Sequence, residues 1–140
     1  MSELFQTAGS VLSVGGDDHV TGTAGEAITA GMPCYYDFEE DAYFLSKADA
    51  EETAICDGIA LNSASVGQPV TIKQDSGDSI INLGATLVRG MTYAVSDLNA
   101  GKIMPITDLT TGDYTVVLGV AQSASELKMG FTFAGTDLGT

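Results

Sequence analysis

Three groups of residues in this chain have types that could do chemistry, and none of them forms a complete site. His19 follows Asp17 and Asp18, the one place where a histidine meets carboxylates. Such a pair can act as a general base if a rigid scaffold holds its geometry. The surrounding stretch 15–25 is dominated by Ser, Thr, Gly and Asp. The sequence therefore favours a solvated loop over a catalytic dyad.

Two acidic clusters raise the question of calcium. One is Glu39-Glu40-Asp41, and the other pairs Asp75 with Asp78. Neither has the alternate-residue spacing and the distal glutamate of an EF-hand loop. Solvated turns are the favoured interpretation, and calcium binding is the alternative.

The two cysteines, Cys34 and Cys56, lie in apolar, strand-like segments. We predict reduced core residues, with a disulfide between them as the alternative. Metal binding is disfavoured because the chain has a single histidine. The sequence also lacks a G-x-S-x-G elbow, a G-x-x-x-x-G-K phosphate loop and a dinucleotide fingerprint. We therefore predict no catalytic residue, no cofactor and no metal, in a protein that is not an enzyme.

The composition is that of one folded, acidic domain. Of the 140 residues, 44% are apolar and 17% charged, a balance that argues against disorder. The net charge of −14 disfavours nucleic acid and anionic membranes, and it can complement a basic partner surface. No apolar run approaches the ~20 residues of a membrane span, and no signal peptide is recognisable. We expect no membrane partner and a protein made in the cytoplasm.

A pattern that occurs twice organises the chain. Residues 58–64 read GIALNSA and residues 119–124 read GVAQSA, each inside an apolar run. The two leading glycines lie 61 residues apart. A spacing of 59 relates Gly31 to Gly90, Cys34 to Tyr93, Phe44 to Ile103, Val70 to Met129 and Ile72 to Phe131. Apolar character is kept while identity drifts, as expected of repeats that share a core.

Short strands with turns every 8–12 residues, and no long helical pattern, predict an all-β fold. We expect a compact β-barrel or sandwich of two similar halves related by pseudo-twofold symmetry. The predicted boundaries are an extended N-terminal arm at 1–25, a single β domain at 26–134 with internal repeats at 26–73 and 84–133, and a loose tail at 135–140. Two local predictions are a helical turn at 49–53 and a hairpin that pairs 79–83 with 70–73.

The predicted arm carries sparse apolar anchors. They are Leu4, Phe5, Val11, Leu12 and Val14. An arm of this composition gains little by packing on itself, so we predict that these residues bind a partner. A frayed terminus is the alternative. We expect this arm to matter for attachment and not for folding, so that removing 1–17 should weaken partner binding and leave the melting temperature nearly unchanged.

The Gly- and Ala-rich signatures of this chain resemble a known family. They include AGEAITAG at 24–31, GIALNSA at 58–64, GQPV at 67–70, GMTY at 90–93 and GDYTVVLGVA at 112–121. Together they look like the small capsid cement, or head decoration, proteins of tailed phages and prophages. The resemblance extends from Ala24 to Phe133 and leaves out residues 1–23.

The resemblance implies a structural virion protein on the exterior of a phage capsid. Such a protein would bind the major capsid protein and stabilise contacts between its subunits. It would be a homo-oligomer, with a trimer favoured, and it would be made in the host cytoplasm. These are expectations carried by the resemblance.

An aromatic cluster supports a different function. It consists of Tyr35, Tyr36, Tyr43 and Phe44. Core packing is the favoured interpretation of these rings. If they instead form one exposed face, they could stack on sugars. The alternative function is therefore a carbohydrate-binding or adhesin module displayed on a virion or cell surface.

Overall fold

The structure is a computed structural model, and it describes residues 11–15, 19–48, 53, 55–75, 79–96, 99–108 and 114–137. These residues form eleven β-strands and a 3₁₀ turn at Ile106–Asp108. The predicted all-β class is confirmed. Residues 49–52, which form most of the predicted helical turn, lie outside the described residues.

The strands are short in the first part of the chain and longer near its end. Six come first: β1 (Val11–Gly15), β2 (His19–Thr23), β3 (Pro33–Asp37), β4 (Ala42–Leu45), β5 (Gly58–Ala60) and β6 (Pro69–Lys73). Five follow: β7 (Ile80–Leu83), β8 (Thr92–Val95), β9 (Ile103–Pro105), β10 (Tyr114–Ala121) and β11 (Glu126–Asp137).

The strands form two sheets in a sandwich-like arrangement. The five-stranded sheet has the order β2-β6-β5-β3-β4, and the six-stranded sheet has the order β1-β7-β11-β10-β8-β9. Every strand pair in both sheets is antiparallel. A bridge between Ala24 and Tyr43 brings the two edges of the five-stranded sheet together at one point. Of the two predicted architectures, the structure has the sandwich and not the closed barrel.

Apart from β1, the two sheets repeat one strand order. Read from the edge, β2, β6, β5, β3 and β4 correspond to β7, β11, β10, β8 and β9. The register agrees at the repeated glycines, because Gly58 lies opposite Cys34 and Gly119 opposite Tyr93. These correspondences support the interpretation of two similar halves.

The register differs from the predicted spacing at the last strand of each half. Ala60 lies opposite Ile72, and its counterpart Ala121 lies opposite Leu127. Ile72 therefore corresponds to Leu127 and not to Phe131. The predicted spacing of 59 is wrong there, because the connection between the paired residues is shorter in the second half. Phe44 likewise corresponds to Met104, one residue beyond the predicted position.

The repeated glycines exist because a neighbouring strand comes too close for any side chain. A Cβ at Gly58 would lie 2.5 Å from the carbonyl oxygen of Lys73. A Cβ at Gly119 would lie 2.1 Å from the carbonyl oxygen of Lys128. Lys73 and Lys128 occupy the same register position in their halves. One steric reason therefore explains both copies of the glycine.

Each sheet encloses a core, but the halves do not pack as twofold mates. The smaller core lies within the five-stranded sheet and includes Ile72 and Tyr43. The larger core belongs to the six-stranded sheet and also takes in Ile59 of β5. Ile59 is fully buried, whereas its counterpart Val120 is 43% exposed. The predicted pseudo-twofold packing is therefore wrong, since equivalent surfaces of the two halves meet different surroundings.

Among the described residues, the contacts between the halves include two backbone hydrogen bonds and a turn. The Ala48 N–H donates to the Ser96 carbonyl at 2.9 Å, and the Gly101 N–H donates to the Ser46 carbonyl at 2.8 Å. Gly101 has φ of +78° and lies against Leu45. A glycine suits this contact both because of its left-handed conformation and because a Cβ would crowd the first half.

Three local predictions differ from the structure. Residues 80–83 do not return onto β6, because β7 pairs with β1 and β11. The predicted loose tail begins too early, since β11 continues to Asp137. The described parts of the predicted arm, 11–15 and 19–23, are strands of the body: β1 pairs with β7 and β2 pairs with β6. Extended, polar strands can be held by backbone ladders that their composition does not reveal.

Candidate interaction surface

The predicted partner-binding residues fall partly on β1, the edge strand of the six-stranded sheet. Leu4 and Phe5 lie outside the described residues. Val11 is partly buried against the larger core, whereas Leu12 is 63% and Val14 45% exposed. Strand alternation explains the division, since successive side chains point to opposite faces. The structure thus brings Leu12 and Val14 together on one exposed face and turns Val11 inward.

The position of β1 depends on a buried cation from the other sheet. Lys73 of β6 is 1% exposed, and its Nζ donates a hydrogen bond to the Ser13 hydroxyl at 2.7 Å. Ser13 also pairs through its backbone with Ile81 of β7, just before a register shift that ends at Gly15. A hydrogen bond from a buried ammonium group is worth more than a neutral one. This contact therefore ties the edge strand of one sheet to the interior of the other.

The four predicted aromatic residues do not form a single exposed face. Tyr43 is 6% exposed and belongs to the smaller core. Tyr36 packs on it from the same face of the hairpin, with ring centroids 5.3 Å apart. Tyr35 and Phe44 form a second pair on the opposite face at 6.2 Å. The rings follow the alternation of the β3–β4 hairpin, and the exposed row that sugar stacking needs is missing from this cluster.

A fifth aromatic residue, Phe38, was missed by the sequence analysis. It lies at the tip of the β3–β4 hairpin and is 87% exposed. The acidic residues that follow it were interpreted only as a solvated turn, with calcium binding as the alternative. The sequence feature that could have identified Phe38 is an aromatic residue within a run of acids, since turns are dominated by Gly, Pro, Asn, Asp and Ser.

The cysteines are free thiols in the interior. Cys34 and Cys56 are both buried and unpaired as a disulfide. The Cys34 thiol donates to the Met32 carbonyl at 3.4 Å, and the Cys56 thiol donates to the Gly58 carbonyl at 3.3 Å. Burial raises the pKa of Cys34 well above its ordinary value and that of Cys56 to about 12. Both thiols are therefore protonated at neutral pH, which disfavours nucleophilic chemistry and metal binding.

The other sequence candidates for chemistry lie only partly within the described residues. His19 begins β2 and is exposed, while Asp17 and Asp18 lie outside the described residues. The Asp75 carboxylate, just beyond the end of β6, accepts the Phe131 N–H of β11 at 3.0 Å; Asp78 lies outside the described residues. Within the described ranges, no group of three or more His, Cys, Asp or Glu side chains could hold a metal ion.

A shallow cleft of ≈ 270 Å³ lies beside the turn between β5 and β6. Its lining includes Ser63, Ser65 and Gln68. The polar groups there are engaged in holding the turn: the Ser63 hydroxyl accepts the Ala30 N–H, and the Gln68 amide oxygen accepts the Ser65 N–H. The lining carries no ionisable side chain, so this cleft offers no acid–base chemistry.

No protein-family model matches the chain, and no curated protein matches it. Among the residues described by the structure, no helix is long and apolar enough to cross a membrane.

Proposed function

We propose that this protein is a capsid decoration protein that binds the outer surface of a phage head. In this role it attaches to the major capsid protein and stabilises contacts between its subunits. It acts by binding its partner through surface contacts and not by catalysis. The proposal rests on the resemblance to the cement family, and the structural observation that supports it most is the position of β1 at the edge of the six-stranded sheet among the described strands.

Strand β1 has the properties of an adhesive edge. Among the described strands it pairs only with β7, so its other side faces away from the sheet. An edge of this kind can accept a partner strand through main-chain hydrogen bonds. Leu12 and Val14 on its exposed face add apolar contact area. The Ser13–Lys73 hydrogen bond fixes the strand in place before binding, which lowers the entropic cost of association.

The charge of the chain suits many copies on one shell. A net charge of −14 keeps densely packed copies soluble. A shell presents many equivalent sites, and an oligomer that engages several of them gains avidity from modest individual contacts. A trimer at a threefold position is the arrangement that we favour.

Co-sedimentation with undecorated heads tests the proposal. The heads come from a deletion strain of the phage or prophage that encodes the chain. The wild-type protein should pellet with the heads. The variant Leu12→Ser/Val14→Ser should bind the heads at least about tenfold more weakly, as expected for two lost apolar contacts. A wild-type protein that stays in the supernatant at micromolar concentration would remove the proposal.

A further inference from the structure

The tip of the β3–β4 hairpin is a fixed structure. The Asp37 carboxylate accepts the backbone N–H groups of Glu39 at 2.9 Å and Glu40 at 3.2 Å. Asp41 has φ of +54°, the left-handed conformation that closes the turn. The Tyr36 hydroxyl donates to the Asp41 carboxylate across the hairpin. The turn is thus fastened on both sides of its exposed residues.

Phe38 projects from this tip and is held by a row of rings. Its ring meets the ring of Tyr36 edge-on, with centroids 4.9 Å apart. Tyr36 in turn packs on Tyr43, which is buried in the smaller core. Single exposed apolar residues are common on protein surfaces. Phe38 differs from the other exposed large apolar residues in the described ranges because it is aromatic and, at 87%, the most exposed.

Four carboxylates surround this ring in sequence. Residues 37–41 read DFEED, and the first Lys or Arg of the whole chain is Lys47. A partner surface that covers Phe38 must therefore also neutralise the acids beside it. Lysine or arginine side chains at the rim of an apolar pocket would do so.

The fold itself does not require an aromatic residue and a run of acids at this turn. The corresponding turn of the second half, between β8 and β9, reads SDLNAG at 96–101, with one acid and no aromatic residue. Both turns connect antiparallel strand pairs that occupy equivalent positions in their sheets, β3–β4 in one and β8–β9 in the other. The aromatic and acidic tip is therefore found at only one of these two equivalent turns.

We propose that the β3–β4 hairpin docks on a capsid subunit, with Phe38 inserted into an apolar pocket whose rim carries Lys or Arg side chains. This inference rests on the proposed function and names its second contact. Preorganisation supports it, because a ring already held by Tyr36 loses little rotamer freedom on insertion. The acidic rim adds long-range attraction and orients the protein as it approaches.

Variants of the tip test the inference in the same co-sedimentation assay. Phe38→Ser should weaken binding to undecorated heads by about thirtyfold or more, since a buried aromatic anchor carries a large share of binding free energy. Glu39→Gln/Glu40→Gln, which keeps the ring, should weaken binding by roughly fivefold at low salt. That difference should vanish near 1 M salt, where the screening length is about 3 Å.

Val66→Ser is the matched control. Val66 is 68% exposed on the turn between β5 and β6 and is not part of the β3–β4 hairpin. It should bind heads like the wild type. All the variants should unfold at the wild-type urea concentration, because the altered side chains are exposed.

The possible outcomes separate the two proposals. If the wild type fails to pellet with heads, the proposed function falls, and this inference falls with it. If the wild type pellets and Phe38→Ser pellets equally, the hairpin inference alone is overturned. Sedimentation velocity of the free proteins tests whether Phe38 instead binds a second copy of the chain. A change of oligomeric state in Phe38→Ser would overturn capsid docking in favour of self-association.

Discussion

The two sheets share one strand order, yet equivalent positions in them have opposite surroundings. Ile59 and Lys73 of the five-stranded sheet are buried: Ile59 packs in the larger core, and Lys73 donates a hydrogen bond to Ser13 of β1. Their counterparts Val120 and Lys128 are exposed. The common order follows from backbone pairing and inward-facing apolar residues. The difference arises because one half inserts its outer face into the core of the other half, which leaves the outer face of the six-stranded sheet available for contacts.

The largest expected effect tests what the halves share. Gly58→Ala and Gly119→Ala should each lower the free energy of unfolding by about 3 kcal/mol or more, because the new Cβ would meet a strand carbonyl that cannot move aside. Gly130→Ala in β11 is the control, since nothing lies within 4 Å of its Cβ position. Its effect in urea unfolding should stay within about 0.5 kcal/mol. If only one of the repeated glycines is sensitive, the two copies do not share a structural reason.

The second prediction tests where the halves differ. Ile59→Ala should cost about 3 kcal/mol, because it leaves a cavity in the larger core. Val120→Ala, at the equivalent register position, should cost less than about 1 kcal/mol, since its side chain is 43% exposed. Urea unfolding of the two variants measures both. Equal costs would mean that the outer face of the six-stranded sheet is buried in solution, as in an oligomer.

The third prediction concerns β1, the strand without a counterpart in the five-stranded sheet. Removing residues 1–17 takes away the β1–β7 ladder and the hydrogen bond that the buried Lys73 ammonium group donates to Ser13. We expect a loss of about 2 kcal/mol, which lowers the melting temperature by roughly 8 °C for a domain of this size. This reverses the expectation drawn from the sequence. An unchanged melting temperature would show that β1 is held only weakly in solution.

The sequence predicted the class of the fold because periodic apolar residues report which positions face a core. Strand β10 (Tyr114–Ala121) shows this signal most clearly, since it is long and largely apolar. Strands β1 and β2 were not predicted as part of the body. Their residues are polar or sparse in apolar side chains, and their backbone ladders form with β7 and β6, which are distant in sequence. Long-range pairing of this kind leaves little local signal.

Exposure at the candidate surface follows strand geometry, which the sequence analysis did not use to assign the contact residues. Leu12 and Val14 were identified as contact residues, and the structure leaves them exposed. Val11 was identified with them, although strand alternation turns it inward. Phe38 was not predicted, because its exposure depends on the geometry of the hairpin tip and not on any periodic pattern. The buried state of Lys73 likewise depends on the packing of two sheets, which local sequence does not specify.

The smallest expected effect concerns the thiols, which only the first half carries. The register aligns Cys34 with Tyr93, so the second half has no thiol at this position. Burial raises the pKa of both Cys34 and Cys56 in the folded protein, whereas the unfolded thiols ionise near 9.0. As the pH rises past that value, the unfolded state releases protons that the folded state retains. Stability therefore falls with increasing pH, up to the folded pKa of about 12 for Cys56.

The thiol contribution can be isolated by comparing two proteins. Between pH 7 and pH 9 the wild type should lose under about 1 kcal/mol from this source. The variant Cys34→Ala/Cys56→Ala should lack that part of the decline, whatever its stability at pH 7, because its remaining ionisable groups are the same. Urea midpoints measured at each pH give the two slopes. Equal slopes, or rapid labelling of the native thiols by a maleimide at pH 7, would show that the cysteines are accessible and that the first half is less tightly packed than its counterpart.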